Sequence, residues 1–158
     1  RHHLAGEYER AAAEFSVALR LDPANARLYA LRGEAHRLLC DYPRAEADLT
    51  AALRLDPGSA ALHLSRGTVR RLAGNHDAAV ADFSEALRLD PANGAAYAGR
   101  AGAFAGLAAL DRAVADYTAA IELNPRDAFA WFERGKAHAK RGDYDGAVTD
   151  FSRGLDLN

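Results

Sequence analysis

The chain of 158 residues is poor in the residues that many functional classes require. It contains one cysteine, which excludes an intramolecular disulfide and a cysteine-rich metal framework. Its 20 basic and 22 acidic side chains give a formal charge of −2, which argues against a general nucleic-acid binder. No apolar run approaches the roughly 20 residues that cross a bilayer, so we expect no membrane insertion. Valine and isoleucine supply six residues against 38 alanines, a bias that favours helix over strand.

What the chain does contain is an internal repeat of 34 residues. Four Leu-Asp-Pro or Leu-Asn-Pro phrases follow one another at this interval and end at Pro23, Pro57, Pro91 and Pro125. An alanine column has the same period: Ala11, Ala45, Ala79, Ala113 and Ala147. A column of large apolar residues follows four positions later: Phe15, Leu49, Phe83, Tyr117 and Phe151. Self-similarity at such a period is typical of solenoid proteins.

Each repeat shows the pattern of two amphipathic helices. Apolar columns recur at i, i+4, i+7 and i+8, and the period-two alternation of a strand is absent. A good N-cap residue follows each proline: Asn25, Ser59, Asn93 and Asp127. The pattern predicts first helices over 27–39, 61–73, 95–107 and 129–141. It predicts second helices over 43–55, 77–89, 111–123 and 145–157, and residues 1–5 as the tail of a helix whose partner spans 8–21.

The sequence therefore predicts a single solenoid domain over 1–158, built from antiparallel helix pairs. Its units are a partial repeat at 1–25, repeats at 26–59, 60–93 and 94–127, and a repeat at 128–158 that lacks its closing residues. Terminal units of a solenoid normally cover its open apolar faces. We therefore expect a longer parent chain or self-association through the open ends.

Small and aromatic residues at fixed positions resemble a known family. The small-large-small pattern and its aromatic position comprise Gly67, Ala79, Phe83, Ala86, Pro91, Tyr97 and Trp131. Together with the period, this pattern is similar to the tetratricopeptide repeats over essentially the whole chain. The resemblance implies an all-α, right-handed superhelical solenoid in which the first helices line an inner groove.

One departure from the family pattern is regular. Arginine stands before the mid-helix small residue, where the family often has leucine: Arg32, Arg66, Arg100 and Arg134. A matching acidic column contains Asp48, Asp82, Asp116 and Asp150. These charges could form a binding ladder, but we favour a structural Arg–Asp pair repeated in each unit.

The resemblance also implies a peptide-binding groove, column by column. The first two full units contribute Arg27, Leu31, Glu34, Arg37, Leu38, Leu64, Ser65, Thr68, Arg71 and Leu72. The last two contribute Ala98, Gly99, Gly102, Phe129, Phe132, Glu133, Lys136 and Lys140. The small residues leave room for an extended segment or a helix, and the basic excess favours an acidic or carboxylate-bearing peptide. Alternatively, the small residues only permit tight superhelical curvature.

Other functional classes lack the residues they need. There is no phosphate-binding loop, and His36 and Cys40 lack a third zinc ligand. We therefore predict no catalytic residue, no metal and no cofactor. Some family members clamp a C-terminal carboxylate with lysine and asparagine. This chain has no such clamp, because the matching positions hold Ala30, Glu34, Ser65, Ala95 and Gly99.

These observations predict a non-catalytic scaffold that binds a peptide or helix of a partner protein in the groove. Two alternatives are a regulatory or substrate-recruiting segment of a larger enzyme and a structural array that assembles through uncapped ends. Abundant arginine and alanine are typical of a GC-rich bacterial gene, and the single cysteine fits a cytoplasmic location.

Overall fold

The computed structural model describes residues 2–157, with side chains described from residue 5. This range forms nine α-helices and no strand: α1 (His2–Leu21), α2 (Ala26–Leu38), α3 (Tyr42–Leu55), α4 (Ala60–Leu72), α5 (His76–Leu89), α6 (Gly94–Gly106), α7 (Leu110–Leu123), α8 (Ala128–Arg141) and α9 (Tyr144–Asp156). The closest packing is within the pairs α2–α3, α4–α5, α6–α7 and α8–α9, and consecutive pairs stack against each other. The predicted all-α solenoid is confirmed. The division into repeats stays a prediction.

Side-chain caps set the helix starts. The four residues before α2, α4, α6 and α8 are Asn25, Ser59, Asn93 and Asp127, and each accepts a hydrogen bond from a first-turn amide. Pro43 lies in the first turn of α3, where its missing N–H has no intrahelical partner to lose. The helices from α2 to α9 begin and end within one residue of the predicted bounds, although α5 and α7 start without a side-chain cap.

One left-handed residue makes the turn inside each helix pair. Gly74 and Gly142 have a φ of 85° there, while Cys40 and Ala108 occupy the same position with φ of 59° and 56°. Glycine adopts this conformation readily, whereas an L side chain is strained by about 1–2 kcal/mol. The four turns share one conformation because the turn, rather than the residue type, sets the backbone at this position.

Small residues let the two helices of a pair approach closely. A Cβ atom added to Gly67 would lie 3.0 Å from the ring of Phe83, and one added to Gly135 would lie 2.8 Å from the ring of Phe151. Ala79 packs on the facing helix and is fully buried. The mid-helix glycines therefore have the packing role that the repeat pattern indicates.

Arginine and aspartate side chains join the helices of each pair. We call the eight residues the arginine ladder: Arg32, Arg66, Arg100, Arg134, Asp48, Asp82, Asp116 and Asp150. Arg100, for example, donates from Nε and Nη2 to the two carboxylate oxygens of Asp116, at 2.7 and 2.9 Å. All four aspartates are buried. The ladder is therefore the structural ion pair that we favoured, because its carboxylates are enclosed by the fold.

The same arginines also reach the preceding pair. Nη1 of each donates to a hydroxyl on the second helix before it, at 3.0–3.3 Å: Ser16, Thr50, Ser84 and Thr118. Arg32, Arg100 and Arg134 also lie over aromatic rings three residues earlier. Each ladder arginine therefore links three helices, which joins one pair to the next.

The predicted break near residue 6 is wrong. α1 is one continuous helix, and Gly6 lacks the left-handed φ of Gly74 and Gly142 at the corresponding position. No described atom outside its own helix lies within 4 Å of a Cβ built on Gly6. Without a packed neighbour that forces a turn, extending the helix adds one hydrogen bond per residue and is favourable.

Candidate functional site

A groove crosses the first helices of three consecutive pairs. α4, α6 and α8 surround a cavity of about 610 Å³ whose floor is α6. The floor residues are all small: Ala95, Ala98, Gly99, Gly102, Ala105 and Gly106. We define the groove as these floor residues together with Leu64, Thr68, Arg71, Tyr117, Asp127, Phe129, Glu133 and Lys140.

Packing from below explains two of the floor glycines. A Cβ atom on Gly99 would lie 2.5 Å from the ring of Phe83, and one on Gly106 would lie 2.5 Å from the ring of His76. Gly102 differs, because a Cβ there would lie 3.3 Å from Cδ of Arg71 and 3.5 Å from Oη of Tyr117. Two polar side chains from different helices therefore meet the floor at Gly102.

Half of the predicted groove residues line the cavity: Leu64, Thr68, Arg71, Ala98, Gly99, Gly102, Phe129, Glu133 and Lys140. The other half do not line it: Arg27, Leu31, Glu34, Arg37, Leu38, Ser65, Leu72, Phe132 and Lys136. Five of the latter lie on α2, one pair before the cavity. They are outside it because the cavity spans only α4 to α8.

Phe132 points to a different surface from the one predicted. Its ring centroid lies 6.2 Å from that of Phe151, and its ring carbons lie 3.0 Å from a Cβ built on Gly154. Gly154 replaces the alanine of the earlier repeats and leaves space beside α9, which the ring fills. Phe129 is therefore the aromatic side chain that α8 contributes to the groove, and it is 62% exposed.

Ion pairs change the charge that the predicted residues present. Arg37 donates from Nε to Oε2 of Glu34 at 2.7 Å, and Nζ of Lys136 lies 2.6 Å from Oε1 of Glu133. These pairs neutralise two of the five basic side chains among the predicted groove residues. Of the other three, Arg27 does not line the cavity, while Arg71 and Lys140 line it and have no ion pair among residues 2–157.

Arg71 carries an unsatisfied donor. Its Nε is buried, and no described group accepts a hydrogen bond from it. The corresponding residue of the previous repeat is Arg37, which Glu34 neutralises. In α4 the position of that glutamate belongs to Thr68, whose hydroxyl donates to the Leu64 carbonyl at 2.9 Å. A buried donor without an acceptor costs about 1–3 kcal/mol, and the described part of the chain supplies no acceptor for this one.

Tyr117 lies in the core, as its periodic column predicts, and it also lines the groove. The side chain is 2% exposed, lines the cavity and makes no hydrogen bond within the described part of the chain. Burial raises the pKa of Tyr117 to about 12, with Glu133 adding to the rise and Arg71 opposing it. The hydroxyl of Tyr117 was the one sequence feature that could have indicated this position, because the other members of its periodic column are apolar. The column comprises Phe15, Leu49, Phe83, Tyr117 and Phe151.

The described residues include no group of three or more histidine, cysteine, aspartate or glutamate side chains arranged to hold a metal ion. His36 instead contacts the ladder, with Nδ1 at 3.0 Å from Oδ2 of Asp48, while Cys40 is exposed. Between residues 2 and 157, none of the helices combines the length and the hydrophobicity that crossing a membrane requires.

Comparison with known proteins gives a consistent picture. The family model described as Tetratricopeptide repeat matches residues 5–60, 39–94, 65–128 and 100–158. The fold is similar to a crystal structure of MamA, with 22% identity, a TM-score of 0.88, and coverage of 98% of this chain and 91% of that chain.

Two further solved structures share the fold. MamA 41-end from Desulfovibrio magneticus RS-1 has 21% identity and a TM-score of 0.90, with coverage of 96% of this chain and 86% of that chain. YrrB, described as a TPR protein with an unusual peptide-binding site, has 25% identity and a TM-score of 0.80, with coverage of 97% and 79%. No curated protein sequence matches the chain.

Proposed function

Because the chain belongs to the tetratricopeptide repeat family, we propose that it is a non-catalytic scaffold that binds a peptide or helix of a partner protein in the groove. The observation that carries the proposal is the cavity of about 610 Å³ over a floor of alanine and glycine. Concave surfaces on the inner face of solenoids are the usual place for extended ligands.

The dimensions of the floor suit a short segment of chain. From Ala95 to Gly106 the helix rises about 16 Å, the length of about five extended residues. The small side chains allow a bound backbone to approach α6 closely. The floor thus supports binding of an extended segment rather than a compact small molecule.

Apolar side chains flank the floor. Leu64 stands on the α4 side, and Phe129 stands on the α8 side with 62% of its surface exposed. An exposed aromatic residue beside a concave surface is typical of a binding anchor. The likeness to YrrB, a protein described as having a peptide-binding site, is a second line of support for peptide binding by this fold.

A substitution that fills the groove tests the proposal. Peptides are selected from a displayed random library on the intact chain, and their affinities are measured for the chain and for Ala95→Trp. Ala95 is an exposed floor residue in the first turn of α6, so the indole can cover the floor without entering the core. We expect Ala95→Trp to weaken binding at least about tenfold, since it fills the space the ligand would occupy.

The matched control is Ala115→Trp. Ala115 is exposed on α7 and does not line the cavity. Its variant should bind the selected peptides as the unchanged chain does. Equal affinity for Ala95→Trp and Ala115→Trp would place the peptides outside the groove and contradict the proposal.

One observation favours a second candidate function, assembly through α9. Tyr144, Val148 and Leu155 on this helix are 71%, 64% and 67% exposed. Apolar side chains on one helix form a surface on which another helix can pack. Sedimentation of the chain and of Val148→Glu over a range of concentrations tests it. A concentration-dependent increase in mass that the variant lacks is expected, and identical sedimentation would contradict it.

A further inference from the structure

We infer that Arg71 and Tyr117 form a subsite within the groove that binds the side-chain carboxylate of a glutamate or aspartate in the bound peptide. The inference rests on the proposed function and adds the chemistry of its ligand. It stands on two polar side chains from different helices that meet beside Gly102, each without a partner among the described residues.

The two side chains supply complementary donors. Arg71 contributes a positive charge and guanidinium N–H groups, and its buried Nε already lacks an acceptor. Tyr117 contributes one hydroxyl at the wall of the same cavity, and its raised pKa of about 12 keeps the phenol protonated at physiological pH. A carboxylate has two oxygens and can accept from both groups, which forms charge-assisted hydrogen bonds in a half-buried site.

The charges around the subsite favour an anion. Arg71 and Lys140 line the cavity without an ion pair inside the described range, whereas Lys136 already pairs with Glu133. The carboxylate of Asp127 is already engaged as the cap of α8, where it accepts from the amides of Phe129 and Ala130. An anionic group that enters the subsite therefore meets a net positive charge.

The position along the floor favours a side chain over a chain terminus. Gly102 lies about 10 Å along the floor from Ala95, which leaves room for bound residues on both sides of the subsite. A ligand backbone can therefore continue past Arg71 in both directions. The anion that reaches the subsite then comes from a side chain within the segment.

The test is an NMR titration of the intact ¹⁵N-labelled chain with designed probes. The main probe is acetyl-Leu-Ala-Glu-Ala-Leu-amide, whose leucines address Leu64 and Phe129, and the paired probe replaces its glutamate with glutamine. Shifts of the Arg71 Nε–H signal and of backbone amides along α6 report binding. We expect the glutamate probe to bind at least about tenfold more tightly, as a hydrogen-bonded charge pair requires.

Three variants separate the subsite from the rest of the groove. Arg71→Gln should remove the preference for glutamate, and Tyr117→Phe should reduce it about threefold to tenfold. Phenylalanine occupies the column of Tyr117 in other repeats, at Phe83 and Phe151, so the fold accommodates this change. Arg37→Gln is the matched control, since Glu34 already neutralises that arginine outside the cavity, and it should preserve the preference.

Several results would overturn the inference. Equal binding of the glutamate and glutamine probes, or no binding of either, would contradict the carboxylate subsite. The Ala95→Trp experiment tests peptide binding in the groove independently of this result. A glutamine probe with a free C-terminus that binds as well as the glutamate probe would assign the subsite to a chain terminus. Markedly tighter binding of a phosphoserine probe than of the glutamate probe would assign it to phosphate.

Discussion

The arginine ladder and the groove use the same residue type in opposite ways. In the ladder, Arg66 donates to both carboxylate oxygens of Asp82 and to the hydroxyl of Thr50. In the groove, Arg71 lies five residues later on the same helix and has a buried Nε without an acceptor. The difference is in the neighbouring helices, because a carboxylate is provided opposite Arg66 and none is provided opposite Arg71.

The contrast concerns what each kind of arginine can contribute to stability and to the binding of a ligand. A guanidinium whose donors are satisfied inside the fold strengthens the stack of helices and has little left for a ligand. A guanidinium with an unsatisfied donor contributes less to stability and gains more from a ligand. The buried charges of the ladder are therefore paired inside the fold, whereas the buried donor of Arg71 at the cavity has no acceptor in the described part of the chain.

The largest effect should come from breaking the ladder at Asp82. This carboxylate is 3% exposed and accepts from Arg66 at 2.7 Å and Arg70 at 2.9 Å. Asp82→Ala leaves the half-buried guanidinium of Arg66 without a carboxylate among the described residues, while Arg70 keeps Glu46. We expect this change to lower the free energy of unfolding by about 3–5 kcal/mol. Urea denaturation measures the change. The control is Glu85→Ala, which breaks an exposed pair with Arg88 and should cost far less; an equal loss would contradict a special role for the buried ladder.

The next largest effect is a loss of stability at alkaline pH that depends on Tyr117 at the groove. Tyr117 has a pKa of about 12 in the folded chain, against 10.0 without the influence of the fold. The folded state keeps this proton between pH 10 and 12, where the unfolded state loses it. The stabilisation is complete below pH 10 and is lost as the pH rises to 12, by about 2–3 kcal/mol.

The comparison for that experiment is Tyr117→Phe, which has no phenol at this site. Denaturation of both chains at several alkaline pH values should show the unchanged chain losing stability more steeply than the variant. Parallel loss in both chains would mean that the phenol ionises at an ordinary pH and is exposed to water.

A smaller loss of stability is expected when a hydrogen bond between neighbouring helix pairs is removed. Ser84→Ala removes the hydroxyl that accepts from Nη1 of Arg100 at 3.1 Å and should cost about 0.5–1.5 kcal/mol. Ser152 belongs to the same sequence column, is exposed and accepts from no arginine within the described range. Ser152→Ala should leave the melting temperature unchanged. A similar loss in both variants would show that the cost is due to helix propensity rather than to the ladder.

The smallest stability effect is expected for Tyr117→Phe at neutral pH. The hydroxyl has no described partner, so its removal breaks no hydrogen bond, and the unfolding free energy should change by less than about 0.5 kcal/mol. Thermal melting at pH 7 measures this. A large destabilisation would mean that the hydroxyl contributes to the fold, and it would weaken the contrast between the groove and the ladder.

Much of the fold was predictable because the repeat copies the same local chemistry along the chain. The caps at Asn25 and Ser59 and the proline at position 43 set helix starts through contacts within a few residues. The Arg–Asp pairs were predictable for the same reason, because their spacing recurs in every repeat. The hydroxyl column of Ser84 and Thr118 has the same period, but its role depends on how the next pair is placed, and it was missed.

The groove was predictable only in part. Family columns identify the first helices as its lining, but they do not reveal that Arg37 and Lys136 are neutralised or that Phe132 turns toward α9. Tyr117 comes from a second helix, and its hydroxyl at the wall of the cavity lies 3.5 Å from a Cβ built on Gly102. These outcomes depend on side-chain rotamers and on space left by neighbours, which have no signature within one repeat.

The sequence by itself determined the repeat length, the helix pairs, their caps and the arginine ladder, because periodic residues meet the same partners at the same spacing in every unit. Only the tertiary structure decided which cations stay unpaired, which aromatic rings face the groove and that α1 continues through Gly6. Those features depend on packing between residues that the repeat does not copy. A single glycine or threonine in one helix there changes what the side chains of the next can reach.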